Sequence, residues 1–151
     1  MSKNTRELDL ASIVHAFDPD DGVPGLPDWE CIATPGHSPG HASFFRPTDR
    51  VLMSGDAVLT VNLNSPAEPS RHRQQVSGPA KLSTWDRHQA TESMERLARL
   101  EPRVLAAGHG IPMIGDEVAP ALLSFAAEAR QLAPSRKVRD LRVCRIAARR
   151  G

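Results

Sequence analysis

Thr34-Pro35-Gly36-His37-Ser38-Pro39-Gly40-His41 is the stretch whose reading decides the rest of the chain. Before it, Trp29 to Thr34 alternates bulky and polar side chains, the period of a short strand, and the alternation stops at Pro35-Gly36. The two histidines, His37 and His41, are therefore carried on a turn at a strand end.

Downstream, Ala42 to Arg46 predicts a second strand, Pro47-Thr48-Asp49-Arg50 a polar turn, and Val51 to Ser54 a third strand ending in Gly55-Asp56. Two strands joined by such a turn form a hairpin. From Thr60 to Lys81 there is little periodicity and several Ser, Pro and Gln, which predicts an irregular surface excursion, either a substrate loop or mere filler, whose basic residues are Arg71, Arg73 and Lys81. Ser83-Thr84-Trp85-Asp86 has the spacing of a capping box, and Ala90, Met94, Leu97 and Ala98 recur at helical intervals, predicting a helix from Thr84 to Arg99. Glu101-Pro102 stops it. Val104 to Ala107 then predicts a short buried strand before Gly108-His109-Gly110. A last helix is predicted from Asp116 to Ala133, with Pro120 in its first turn and Leu122, Phe125, Ala126 and Ala129 on one face.

Upstream, Asp18 to Pro27 holds three prolines and two glycines, which excludes a long helix or a central strand. Residues 1–28 are read as a leading loop and residues 1–134 as one domain. From Ser135 the chain has seven Arg or Lys and one acid, Asp140, and is read as a basic tail over 135–151, either a charged helix or a solvated terminus.

The bulk numbers exclude several classes. At 151 residues with 40% hydrophobic and 25% charged residues, the chain reads as one ordinary soluble domain. A formal net charge of +1 gives no argument for nucleic acid or a membrane surface as partner. No apolar run of membrane-spanning length occurs, and the N-terminus is polar, so a cytoplasmic location is expected. Cys31 and Cys144 lack C-x-x-C spacing and are read as free thiols.

Three segments share one design: a short apolar strand, a glycine-containing turn, then a side chain able to bind a metal. They end in His37, Asp56 and His109. Glycine removes bulk and permits a sharp turn, so such ligands can converge above one sheet edge. Imidazole and carboxylate together suit zinc, manganese or iron, and a carboxylate can bridge two ions. Each element alone is more often a plain turn; their combination and order carry the argument.

Thr34 to His41 resembles the TPGHTPGH signature of the metallo-β-lactamase superfamily, differing by Ser38 for Thr. The resemblance extends from about Asp21 to Gly115 and includes Gly55-Asp56-Ala57-Val58 and Thr84-Trp85-Asp86. It implies an α/β fold, one half of a four-layer αβ/βα sandwich, with a mixed or antiparallel sheet and helices on one face. It further implies that His37 binds a first metal, Asp56 bridges two, and His109 binds the second. His41, Gly55 and Gly108 would support the site without binding metal, and no catalytic residue is assigned. His15, His72 and His88 lie outside the matched motifs and are read as solvated.

The family's main metal-binding motif, His-x-His-x-Asp-His, lies upstream of the signature in the resemblance, and that pattern does not occur in these 151 residues. The expectation is therefore a C-terminal half, inactive alone and binding zinc weakly if at all, with one or two ions in the complete site. Completed, it would be a hydrolase of a small-molecule ester, thioester, lactone or amide, acting through a metal-bound hydroxide. Half a sandwich also leaves one sheet face uncovered. That predicts a homo-oligomer or pairing with the missing N-terminal half; the alternative is a non-catalytic half-domain that dimerises or recruits a partner.

Overall fold

In the computed structural model, the described residues are 18–65 and 74–132. Their strands are β1 (Glu30–Ala33), β2 (Ala42–Arg46), β3 (Val51–Gly55), β4 (Val104–Ala107) and β5 (Met113–Ile114), and their helices α1 (Arg87–Ala98) and α2 (Val118–Leu132). One sheet contains all five strands in the order β1-β2-β3-β4-β5. Only β3 and β4 run parallel; the other neighbours are antiparallel, so the sheet is mixed. The parallel step requires a crossover, and the chain from Asp56 through α1 supplies it.

Side-chain alternation gives the sheet two unlike faces. Phe45, Leu52 and Leu105 point to one of them and join Met94, Leu97 and Ala98 of α1 and Val118, Leu122 and Ala126 of α2 in a single apolar cluster. Both helices therefore cover the same face. Ala90, Met94, Leu97 and Ala98 are all buried, as their helical spacing predicts. On the opposite face the register aligns Cys31, Phe44, Met53 and Ala106 in one row, with Val104 and Ile114 in the next. Met53 and Ile114 are exposed there, Ile114 at 69%.

The start of α1 differs from the capping-box reading. Asp86 is itself the N-cap, its carboxylate accepting from the backbone N–H of His88 and Gln89. Ser83 donates to the Ala80 carbonyl and caps nothing. The spacing fits either phase, and an aspartate one residue before the helix satisfies two orphan donors at once. The excursion after Thr60 is also less superficial than its composition suggests. Thr60, Val61, Val76 and Ser77 are buried, and Leu59 and Ser77 exchange backbone hydrogen bonds of 2.8 and 2.9 Å. β5 and a 3-10 turn at Pro19–Asp21 have no counterpart in the sequence pattern; two or three residues are too short to show a period.

His15, Arg71, His72, Arg73, Cys144 and the basic tail from Ser135 lie outside the described residues. Among the described residues no helix is long and apolar enough to cross a membrane.

Candidate metal centre

Topology brings the three glycine turns together. β1 and β3 are both antiparallel to β2, so they point the same way, and β4 is parallel to β3. All three strands therefore end at one edge of the sheet, where Thr34 to His41, Gly55-Asp56 and Gly108-His109 emerge side by side. The Gly108 N–H donates to the Gly55 carbonyl at 2.8 Å, fixing the second and third turns against each other.

Helix α1 fixes the first. The two residues that lead into it donate backward, Trp85 N–H to the His37 carbonyl (3.2 Å) and the N-cap Asp86 N–H to the Gly36 carbonyl (2.9 Å). Further along, the Ser93 hydroxyl donates to the Pro35 carbonyl at 2.7 Å and Arg96 donates to the Ala33 carbonyl. The loop that carries His37 is thus held by side chains and backbone of one helix that lies far along the sequence.

Asp56 stands between the two imidazoles. Its Oδ2 lies 3.5 Å from His37 Nε2 and its Oδ1 lies 3.6 Å from His109 Nε2. These separations are too long for good hydrogen bonds. Two ligands each about 2.1 Å from one tetrahedral ion lie about 3.4 Å apart, so the spacing suits a cation in each gap. Asp56 Oδ1 and His37 Nδ1 are buried and have no hydrogen-bond partner, an arrangement that costs about 1–3 kcal/mol for each group in a neutral site. A cation beside Oδ1 removes that penalty for the carboxylate. Among the described residues no three His, Cys, Asp or Glu side chains close around a single point. The donors instead meet in two pairs that share Asp56.

His41 occupies the same edge but points elsewhere. Its Nε2 lies 3.0 Å from the Asp56 N–H, from which it accepts, and its Nδ1 lies 2.8 Å from Thr34 Oγ1. With both ring nitrogens engaged by protein, it offers no lone pair to a metal. Burial, with His37 nearby adding to it, pushes the His41 imidazole below its ordinary value. Gly55 makes this contact sterically accessible: at φ +53, a Cβ there would stand 2.7 Å from His41 Nε2. Gly108 plays the same part beside the carboxylate, where a Cβ would stand 2.4 Å from Asp56 Oδ1.

His88 is not in this group; it lies in the first turn of α1 and faces Glu92 at 3.4 Å. The sequence reading missed Thr34, Ser43 and Ser54, each fully buried at this edge. Small hydroxyl residues in short strands gave no signal. Their alignment appears only once the strands are in register.

A family model described as "Metallo-beta-lactamase superfamily" matches residues 5–109, and the chain belongs to that superfamily. Among curated relatives it is similar to "Probable metallo-hydrolase YflN" of Bacillus subtilis, 48% identical over 108 residues, which cover 72% of this chain and 41% of YflN. It is also similar to "Probable metallo-hydrolase YybB" of the same organism, 23% identical over 76% of this chain and 47% of YybB. The matched part thus spans less than half the length of either relative. Solved structures similar to the chain include the metallo-β-lactamase family protein TTHA1429 from Thermus thermophilus, at 27% identity and TM-score 0.44, covering 69% of this chain and 29% of that one. TTHA1623, solved in a di-iron-bound form, has 23% identity and TM-score 0.48, covering 77% of this chain and 46% of that one.

Proposed function

We propose that this chain contributes His37, Asp56 and His109 to a two-metal hydrolase centre in which Asp56 bridges the ions. The observation that carries the reading is the division of labour on one carboxylate, with each oxygen facing a different imidazole at 3.5 and 3.6 Å. Zinc suits this donor set, and manganese or iron would fit it as well. When bound, such ions acidify water at neutral pH and polarise a carbonyl, which is the chemistry of ester, thioester, lactone or amide hydrolysis. The chain's own part is to hold two imidazoles and a carboxylate at fixed spacing on rigid strand ends.

A catalytic zinc ordinarily has three protein ligands plus water, so one imidazole and a shared carboxylate leave each position short. The remaining ligands are expected from a segment with the His-x-His-x-Asp-His pattern, and this chain alone is expected to bind metal weakly and turn over small-molecule substrates poorly. Elemental analysis of the purified chain after dialysis against zinc tests the site. Bound zinc that disappears in His37→Ala, Asp56→Ala and His109→Ala supports it; zinc retained by all three variants removes it. Addition of the upstream segment of a relative such as YflN should then tighten binding and yield hydrolysis.

The apolar sheet face opposite the helices favours a second reading, a non-catalytic half-domain that associates through that face. The two part on metal dependence: a recruiting domain would bind its partner equally well with His37, Asp56 and His109 replaced.

A further inference from the structure

We propose that Thr34 and Ser43 lock His41 into its Nδ1–H tautomer, and that His41 thereby positions Asp56 through the aspartate's backbone N–H. The proposal deepens the metal-centre reading above and rests on Asp56 being a ligand there. Proton accounting carries it. A backbone N–H can only donate, so His41 Nε2, 3.0 Å from the Asp56 nitrogen, must present its lone pair. The neutral ring's one proton then sits on Nδ1, which donates to Thr34 Oγ1 at 2.8 Å. Thr34 Oγ1, having accepted, donates its own proton to Ser43 Oγ at 2.9 Å, and Ser43 Oγ donates to the Ser54 carbonyl at 3.1 Å. The chain of bonds has one consistent direction, running from the Asp56 N–H to a carbonyl two residues before it.

Thr34, Ser43 and Ser54 are each 0% exposed, so water does not compete for these bonds. Reversing the ring would put two donors, Nε2–H and the Asp56 N–H, face to face. It would also leave Nδ1 facing the Thr34 hydroxyl as an acceptor, and Ser43 would need a new donor. The lock ties the turn that presents the carboxylate to β1 and β2, on which His37 also depends. His41 is in this sense a positioning residue, and it needs no contact with metal or substrate.

The test uses the full chain, labelled with nitrogen-15. A long-range proton–nitrogen spectrum of the imidazoles at neutral pH should show His41 Nδ1 protonated and Nε2 bare. Thr34→Val, which keeps the shape and removes the hydroxyl, should lose that single signature and speed exchange of the Asp56 amide at least tenfold. Thr34→Ser should restore both. Where zinc binds, competition against a coloured chelator should show about a tenfold weaker affinity in Thr34→Val and recovery in Thr34→Ser, the lower end of what loss of a ligand's supporting partner costs. A wild-type ring protonated on Nε2, or a Thr34→Val spectrum and Asp56 exchange equal to wild type, overturns the proposal. A wild-type chain that binds no zinc even with the upstream segment of a relative added sinks the metal reading instead, and the ring spectrum and amide exchange still decide this one.

Discussion

Two glycines flank the Asp56 carboxylate, and they differ in a way that separates folding from ligand placement. Gly55 has φ +53, and a Cβ there would strike the ring of His41 at 2.7 Å. Gly55→Ala therefore combines left-handed strain of about 1–2 kcal/mol with loss of the bond that holds the turn. Gly108 has no such backbone demand; the nearest atom a Cβ would meet, at 2.4 Å, is the movable Asp56 Oδ1, and the Gly55 carbonyl carbon, at 3.3 Å, need yield only slightly. Gly108→Ala should leave the melting temperature within a few degrees of wild type, because the carboxylate can swing aside. It should nevertheless weaken zinc binding tenfold or more, since Oδ1 then leaves its place beside His109. Thermal denaturation and chelator competition on both variants check this; a Gly108→Ala chain with unchanged zinc affinity would remove Asp56 Oδ1 from the centre.

At the scale of elements, α1 does more than cover the sheet. Its N-cap, Asp86, accepts from two backbone N–H groups, and the same residue donates to the Gly36 carbonyl. Asp86→Ala should cost about 0.5–2 kcal/mol in a denaturant titration. Because it loosens the entry into α1, where the Trp85 and Asp86 N–H groups hold the His37 and Gly36 carbonyls, the amide resonances of Gly36 and His37 should shift as well. Stability lost with those resonances unmoved would mean that the loop is held from β1 alone. This coupling explains what could be read from sequence and what could not. Strands and helices were legible where apolar spacing was regular, as at Ala90, Met94, Leu97 and Ala98. The convergence of His37, Asp56 and His109 was legible because each follows a strand through a glycine. The grip of Ser93 and Arg96 on the Pro35 and Ala33 carbonyls was not, since a polar residue on a helix carries no mark of the distant carbonyl it will meet. Nor was the register that stacks Thr34, Ser43 and Ser54, because a one-residue slip leaves the sequence unchanged and turns each hydroxyl to the other face.

For the whole molecule, the decisive feature is the sheet face that no helix covers among the described residues. Cys31, Phe44, Met53 and Ala106 form a row across four strands, with Val104 and Ile114 beside it, and Met53 and Ile114 are 40% and 69% exposed. Apolar surface exposed on a sheet face favours association, and here it is bordered by Arg46, which lies in the row of Val104 and Ile114 and pairs with Asp49. The purified chain is therefore expected to scatter light as a dimer or larger at micromolar concentration, and Met53→Lys should return it to a single chain by placing a charge in the middle of the row. Cys31 supplies a local probe of the same surface. Partial burial raises its thiol above the ordinary value, so alkylation should be slow at neutral pH and measurable at higher pH. Association through this face should slow it further, so Met53→Lys should make Cys31 react faster than in the associated wild type, as read by peptide mass mapping. Adding the upstream segment of a relative should protect Cys31 again, now in a complex of one chain with one segment. If the wild-type chain is a stable single species whose Cys31 reacts at the same rate with and without Met53→Lys, the face is not an interface, and the half-sandwich reading falls with it.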